Sequence, residues 1–174
     1  MTIAIIQMIL FQIVLPAVFI ISLWRKTFHS KIEWAAEALM TSVYVTWVFF
    51  GSAWDWFSYY WRYIWLILLA AAVFRSWQKG RSLPVRIKFN NNQKWTMCVN
   101  MFLIFVFGLY SVWIFKGYMA DGNAVELEFP LKNGAYYVGQ GGNTVQINYH
   151  NEFLPQQYAL DIVCLLYTSP SPRD

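Results

Sequence analysis

Hydrophobic residues gather into four long stretches over the first two thirds of the chain, and polar residues are confined to short connections between them. Residues 2–24 and 95–115 contain no charged side chain. A helix rises about 1.5 Å per residue, so each stretch is long enough to cross a hydrocarbon core about 30 Å thick. The pattern predicts membrane-spanning helices over residues 2–24 and 95–116.

The other two stretches carry charged residues only near their ends. Residues 34–54 include Glu37, and residues 59–76 include Arg75 near the end and Arg62 in the first turn, where a long side chain can reach the lipid headgroups. We interpret both as membrane-spanning helices. The predicted fold of residues 1–117 is therefore a membrane all-α region with four transmembrane helices.

The hydrophobic pattern changes after residue 117. Short alternating or β-rich runs at residues 125–129, 136–139, 145–150 and 158–163 predict strands, and the Gly, Asn and Pro residues between them are typical of turns. Residues 118–163 are predicted to form a partial all-β domain, the start of an antiparallel fold.

Composition and charge support a membrane protein. The chain is 58% hydrophobic and 13% charged, which does not suit the surface of a soluble domain. Residues 1–117 hold 11 Lys and Arg against 3 Asp and Glu, whereas residues 118–174 hold 2 against 6. Nine of the cations lie at residues 25–31 and 75–94, so the positive-inside rule places these connections in the cytoplasm and both termini outside. We expect the basic connection 75–94 to face the lipid bilayer rather than nucleic acid.

One spacing in the β region suggests chemistry, since His150 is followed eleven residues later by Asp161. An imidazole and a carboxylate from neighbouring strands are two of the three protein ligands that a catalytic zinc site needs. Both residue types also have ordinary structural roles, because Asp commonly caps turns and His commonly bonds the backbone. The spacing alone leaves both interpretations open.

A longer pattern covers residues 129–162. It runs Phe-Pro-Leu-Lys-Asn-Gly-Ala-Tyr-Tyr-Val-Gly-Gln-Gly-Gly-Asn, then Asn-Tyr-His-Asn, then Gln-Gln-Tyr-Ala-Leu-Asp-Ile. This pattern resembles the opening third of the lysostaphin-type zinc metallopeptidases, β-lytic endopeptidases with a duplicated hybrid motif that cut peptidoglycan peptides. The resemblance implies a zinc cofactor, a peptidoglycan substrate, a place in the bacterial inner membrane, and Asp161 as the aspartate of the family's HxxxD motif.

The chain departs from that motif at Gln157, which stands where the family has histidine. A family variant pairs a QxYAxD stretch with an upstream NxH, so the resemblance makes His150 the candidate for the imidazole ligand. Asn148 and Gln157 become candidates to support the ligands or to bind a substrate amide. The family's later HxH motif has no counterpart after Asp161. The resemblance therefore implies no catalytic residue within this sequence, and zinc chemistry only in a complete, longer protein.

The last eleven residues, CLLYTSPSPRD, resemble a translated transposase-type sequencing adapter, and we expect residues 164–174 to be an artefact. Two other functions stay open. A non-catalytic wall-binding or regulatory protein with a degenerate peptidase domain would account for Gln157. A transporter or channel would need charged residues or broken helices inside the spans, and these are sparse.

Overall fold

Helices dominate the computed structural model of the chain, in which residues 2–54, 57–119, 128, 131 and 134–165 are described (at residues 2 and 4, the main chain alone). The helices are α1 (Thr2–Ile9), a π-helical turn (Leu10–Val14), α2 (Leu15–Arg25), α3 (Lys31–Gly51), α4 (Trp61–Gly80) and α5 (Asn91–Gly117). Two strands, β1 (Tyr136–Gln140) and β2 (Asp161–Cys164), enclose the short 3₁₀ helices Tyr149–Glu152 and Leu154–Gln156.

The chain divides into two compact units. The first contains Met1–Ser52 and Tyr60–Ser111, and the second contains Ala53–Tyr59 and Val112–Asp174. Within the first unit α3 is the most enclosed helix, since Tyr44, Val45 and Val48 are almost completely buried. The core of this unit therefore lies around α3, which packs against α2 and α4.

Local hydrogen bonds explain where α3 and α5 begin. The Ser30 hydroxyl accepts a hydrogen bond from the Glu33 amide at 3.2 Å, which satisfies one of the unpaired donors of the first turn of α3. At α5 the pairing is reciprocal: the Gln93 amide donates to the Asn90 side chain at 2.8 Å, and the Asn90 amide donates to the Gln93 side chain at 2.9 Å. Both helices thus begin three or four residues before the predicted apolar stretches.

The prediction of four transmembrane helices is wrong. Among the described residues, two helices are long and apolar enough to cross a membrane: Ile5–Arg25, with a mean hydropathy of 2.4, and Asn91–Gly117, with a mean hydropathy of 2.1. These two helices, judged by length and composition, indicate association with a membrane.

The stretches at 34–54 and 59–76 form helices but do not qualify as spans. In α4 the charge-free run between Arg62 and Arg75 is 12 residues, or about 18 Å of helix, against a core about 30 Å thick. In α3 the Glu37 carboxylate is buried and accepts hydrogen bonds from Ser22 at 2.8 Å and Lys26 at 2.6 Å. The charge of Glu37 is thus met by protein groups of α2 and its C-terminal end.

The all-β prediction for residues 118–163 is also wrong as an architecture, because the described part holds one antiparallel pair of strands. The predicted strand at 136–139 is confirmed as β1, and the last residues of the predicted strand at 158–163 lie in β2. Tyr136 pairs with Cys164, Tyr137 with Val163 and Val138 with Ile162, and an irregularity shifts the register so that Gln140 pairs with Asp161. The predicted strand at 125–129 and the tail from residue 166 onwards lie outside the described residues, except for Glu128.

The predicted strand at 145–150 is instead a turn that runs into a 3₁₀ helix. Asn148 lies at its start, and its side chain accepts a hydrogen bond from the His150 amide at 3.2 Å. Such a local bond offers the backbone an alternative to strand pairing. The alternation of apolar and polar residues was therefore a misleading signal in this segment.

A candidate metal-binding pair in the second unit

The structure brings His150 and Asp161 into direct contact. The imidazole Nε2 lies 3.1 Å from the Asp161 carboxylate oxygen Oδ1. The His150 side chain is 13% exposed and that of Asp161 is 43% exposed, so the pair is open to solvent on the carboxylate side. Two residues that are eleven positions apart in the chain thus form one polar site.

Each partner is placed by a different element. Asp161 is the first residue of β2, where its pairing with Gln140 follows the register shift. His150 lies in the first 3₁₀ helix, whose start is set by Asn148. The rings of Tyr149 and His150 are in contact at a tilt of 35°, with centroids 3.9 Å apart, which limits rotation of the imidazole.

Asn148 organises the segment around the pair. It is 1% exposed, and its Nδ2 donates to the Gly142 carbonyl at 3.1 Å and to the Gln157 carbonyl at 3.2 Å. Together with the bond from the His150 amide, one buried side chain ties three parts of the loop together. Asn148 is thus buried beneath the surface of the site, where it holds the segment that carries His150.

Gln157 takes part through its main chain. Its carbonyl oxygen accepts the hydrogen bond from Asn148, and within the described part of the chain its side chain forms no hydrogen bond with His150 or Asp161. The residue that does face the imidazole is Gln156, whose Oε1 lies 3.3 Å from His150 Nδ1. Gln156 was not among the predicted site residues, and Pro155 beside it indicates a turn but not the direction of the Gln156 side chain.

The pair fits zinc in donor type, and its 3.1 Å separation is also that of an ordinary hydrogen bond between the imidazole and the carboxylate. Imidazole nitrogen and carboxylate oxygen are common zinc ligands, and two ligand atoms on one tetrahedral ion lie roughly 3.4 Å apart, close to the observed 3.1 Å. The contact of Nδ1 with the Gln156 side-chain oxygen is of the kind that orients metal-binding histidines, whose other ring nitrogen faces the metal. Among the described residues, no group of three or more His, Cys, Asp or Glu side chains could hold a metal ion.

The first unit holds a second polar cluster that sequence reasoning did not find. The Glu37 carboxylate accepts hydrogen bonds from Ser22 and Lys26, and Asn100 Nδ2 lies 3.5 Å from Glu37 Oε2. Lys26 also lies 3.8 Å from Glu33. All of these donors already have partners, so the cluster joins α2, α3 and α5 as a structural network.

No family model, curated protein or solved structure matches the chain. Interpretation of the His150–Asp161 pair therefore depends on its geometry and on the sequence pattern around it.

Proposed function

We propose that residues 118–163 are the opening part of a lysostaphin-type zinc endopeptidase domain, and that the protein acts on peptidoglycan peptides at the bacterial cell membrane. The observation that carries the proposal is the 3.1 Å approach of His150 Nε2 to Asp161 Oδ1. The family resemblance assigns these same two residues as zinc ligands. A pairing across eleven residues, with Gln156 on the other ring nitrogen, supports that assignment.

The ligand atoms of the site and the residues around them suggest a separate role for each side chain. His150 and Asp161 would hold zinc, which when bound polarises a peptide carbonyl and activates water. Gln156 orients the imidazole, and Asn148 fixes the segment that carries it. Both histidines of the family's HxH motif, the third ligand and the proton-transferring residue, have no counterpart after Asp161. We therefore expect this chain alone to bind zinc weakly and not to hydrolyse peptidoglycan.

The distribution of charge supports a location outside the cytoplasm for this unit. Ten Lys and Arg residues precede α5 or lie in its first turns, whereas residues 118–165 hold 5 acidic residues against 1 basic residue. By the positive-inside rule, the basic segments stay in the cytoplasm and the acidic segment after α5 faces outward. Peptidoglycan lies on that outer side.

Zinc binding by the full chain in detergent tests the ligand assignment. Titration calorimetry should give one weak site per chain, and His150→Ala or Asp161→Asn should lower its association constant at least tenfold. The matched controls are His29→Ala, the other histidine of the sequence, and Glu152→Gln, an exposed acid of the same unit. Equal weakening by the controls, or no weakening by His150→Ala, would contradict the assignment.

A second candidate function is a non-catalytic wall-binding or regulatory protein. The observation that favours it is the presence of only two metal-type ligands in the site among the described residues. Sedimentation of the protein with purified peptidoglycan separates the two functions. Sedimentation that persists in a chelator and in Asp161→Asn, without any zinc site in the calorimeter, would favour the binding protein over the peptidase.

A further inference from the structure

A cavity of about 500 Å³ lies along the connection between α4 and α5, and its lining is strongly basic. The lining residues are Arg86, Ile87, Lys88, Phe89 and Lys94. The three cations are exposed, whereas Ile87 and Phe89 are half-buried. The cavity therefore combines concentrated positive charge with a small apolar wall.

The positive charge of this cavity is not neutralised within the described part of the chain. Arg86, Lys88 and Lys94 form no ion pair with residues described there. Lys26 shows the contrast, because its ammonium group lies 2.6 Å from Glu37. Three unpaired cations around one cavity repel one another, and an anion between them removes that repulsion.

The cavity stands at the start of a helix that is long and apolar enough to cross a membrane. Lys94 belongs to the first turns of α5, and the Asn90–Gln93 pairing fixes where that helix begins. The positive end of the helix dipole adds to the field of the three cations. If α5 crosses the bilayer, its first turn lies at the depth of the lipid headgroups.

We propose that Arg86, Lys88 and Lys94 bind the phosphate of an anionic phospholipid headgroup, with Ile87 and Phe89 against its glycerol backbone. The planar guanidinium of Arg86 suits two phosphate oxygens at once, and the lysines supply point charges on either side. A lipid with no net charge leaves the three cations uncompensated. The basic cavity and the His150–Asp161 site have no residue in common, so this proposal and the proposed function can fail separately.

Native mass spectrometry of the full chain in non-ionic detergent tests the site. Short-chain phosphatidylglycerol should bind more tightly than short-chain phosphatidylcholine. Each of Arg86→Gln, Lys88→Gln and Lys94→Gln should weaken phosphatidylglycerol binding about fivefold, the effect of one cation near an anionic lipid surface. Arg81→Gln, which removes an exposed cation of the same connection that does not line the cavity, should change binding less than twofold.

Four outcomes would overturn the proposal. Equal loss in Arg81→Gln would mean diffuse attraction, and equal binding of phosphatidylcholine would mean no charge recognition. If equimolar inorganic phosphate displaced the lipid, the ligand of the site would be a free anion. If a short single-stranded oligonucleotide bound more tightly than the lipid, the ligand would be nucleic acid. Arg86→Lys keeps the charge, so weakened binding there with unchanged helicity by circular dichroism would support paired contacts from the guanidinium.

Discussion

A single hydroxyl group supports the irregular part of the first helix. Within the π-helical turn the Leu15 amide donates to the Leu10 carbonyl, five residues back. The next donor in that pattern would be residue 16, which is proline and has no N–H, so the Phe11 carbonyl loses its partner. The Tyr44 hydroxyl donates to that carbonyl at 2.8 Å. A side chain of α3 thus replaces the hydrogen bond that Pro16 removes.

The coupling between Pro16 and Tyr44 can be measured with a double-mutant cycle. Tyr44→Phe removes the donor and should lower the free energy of unfolding by about 1–2 kcal/mol, because the Phe11 carbonyl is left unpaired. In a Pro16→Ala background the new amide can bond the backbone, so the same substitution should cost measurably less. Denaturant titrations followed by circular dichroism give both values. An equal cost in the two backgrounds would mean that the hydroxyl does not replace the missing amide.

Alkaline pH should act on the same hydroxyl. Burial raises the pKa of Tyr44 well above its usual range, so the folded chain keeps a proton that the unfolded chain releases above about pH 10. This contribution to stability is complete below that pH and is lost above it, by up to about 1.4 kcal/mol per pH unit. The stability difference between wild type and Tyr44→Phe should therefore shrink between pH 9 and pH 11. Tyr158→Phe, at a tyrosine 83% exposed, is the control and should show a constant difference.

The helices of the first unit are joined by the Glu37 network rather than by apolar packing alone. Glu37→Ala removes the acceptor of the part-buried Ser22 hydroxyl and leaves Lys26 with its longer 3.8 Å contact to Glu33. We expect a loss of about 2 kcal/mol in the free energy of unfolding, because the Ser22 and Asn100 donors lose their partner. Glu152→Ala, at an exposed acid, should change stability by less than about 0.5 kcal/mol. A similar small effect for Glu37→Ala would show that water replaces the carboxylate.

The short 3₁₀ segment around His150 depends on the two donor hydrogens of Asn148. Asn148→Asp keeps the acceptor for the His150 amide but loses the bonds to the Gly142 and Gln157 carbonyls. Hydrogen exchange of the amides at residues 149–157 should therefore accelerate about tenfold, the equivalent of about 1.4 kcal/mol. Asn151→Asp adds the same charge nearby and should leave the exchange rates almost unchanged. Equal acceleration in both variants would assign the effect to charge.

Sequence pattern predicted some of these elements and missed others for identifiable reasons. Periodicity located all four helical stretches and β1, because long apolar runs and β-rich runs are local signals. It failed at residues 145–150, where one buried Asn148 side chain outweighs alternation, and at α3, where Glu37 is satisfied by residues distant in the chain. The spacing indicated His150 and Asp161, but the role of Gln156 depends on a turn whose geometry no residue count provides.

The expected orientation of the chain in a membrane depends mainly on α5, because α5 is the candidate span whose two flanking segments differ most in charge. Residues 75–94 hold six cations and no acidic residue, and residues 118–165 carry a net charge of −4. Because cations resist translocation, we expect the segment before α5 to stay in the cytoplasm and the segment after it to lie outside. That orientation would bring the His150–Asp161 site to the same side as peptidoglycan.

Reporter fusions in a bacterial host test this orientation. Alkaline phosphatase, which is active only outside the cytoplasm, should be active when fused after Gly117 and inactive when fused after Asn90. A fluorescent protein that folds only in the cytoplasm should give the reverse pattern at the same two positions. A variant in which Arg86, Lys88 and Lys94 become Gln should weaken the asymmetry, since it removes half of the six cations before α5. Phosphatase activity at Asn90 together with fluorescence at Gly117 would show the opposite orientation. The His150–Asp161 site would then lie in the cytoplasm, away from peptidoglycan.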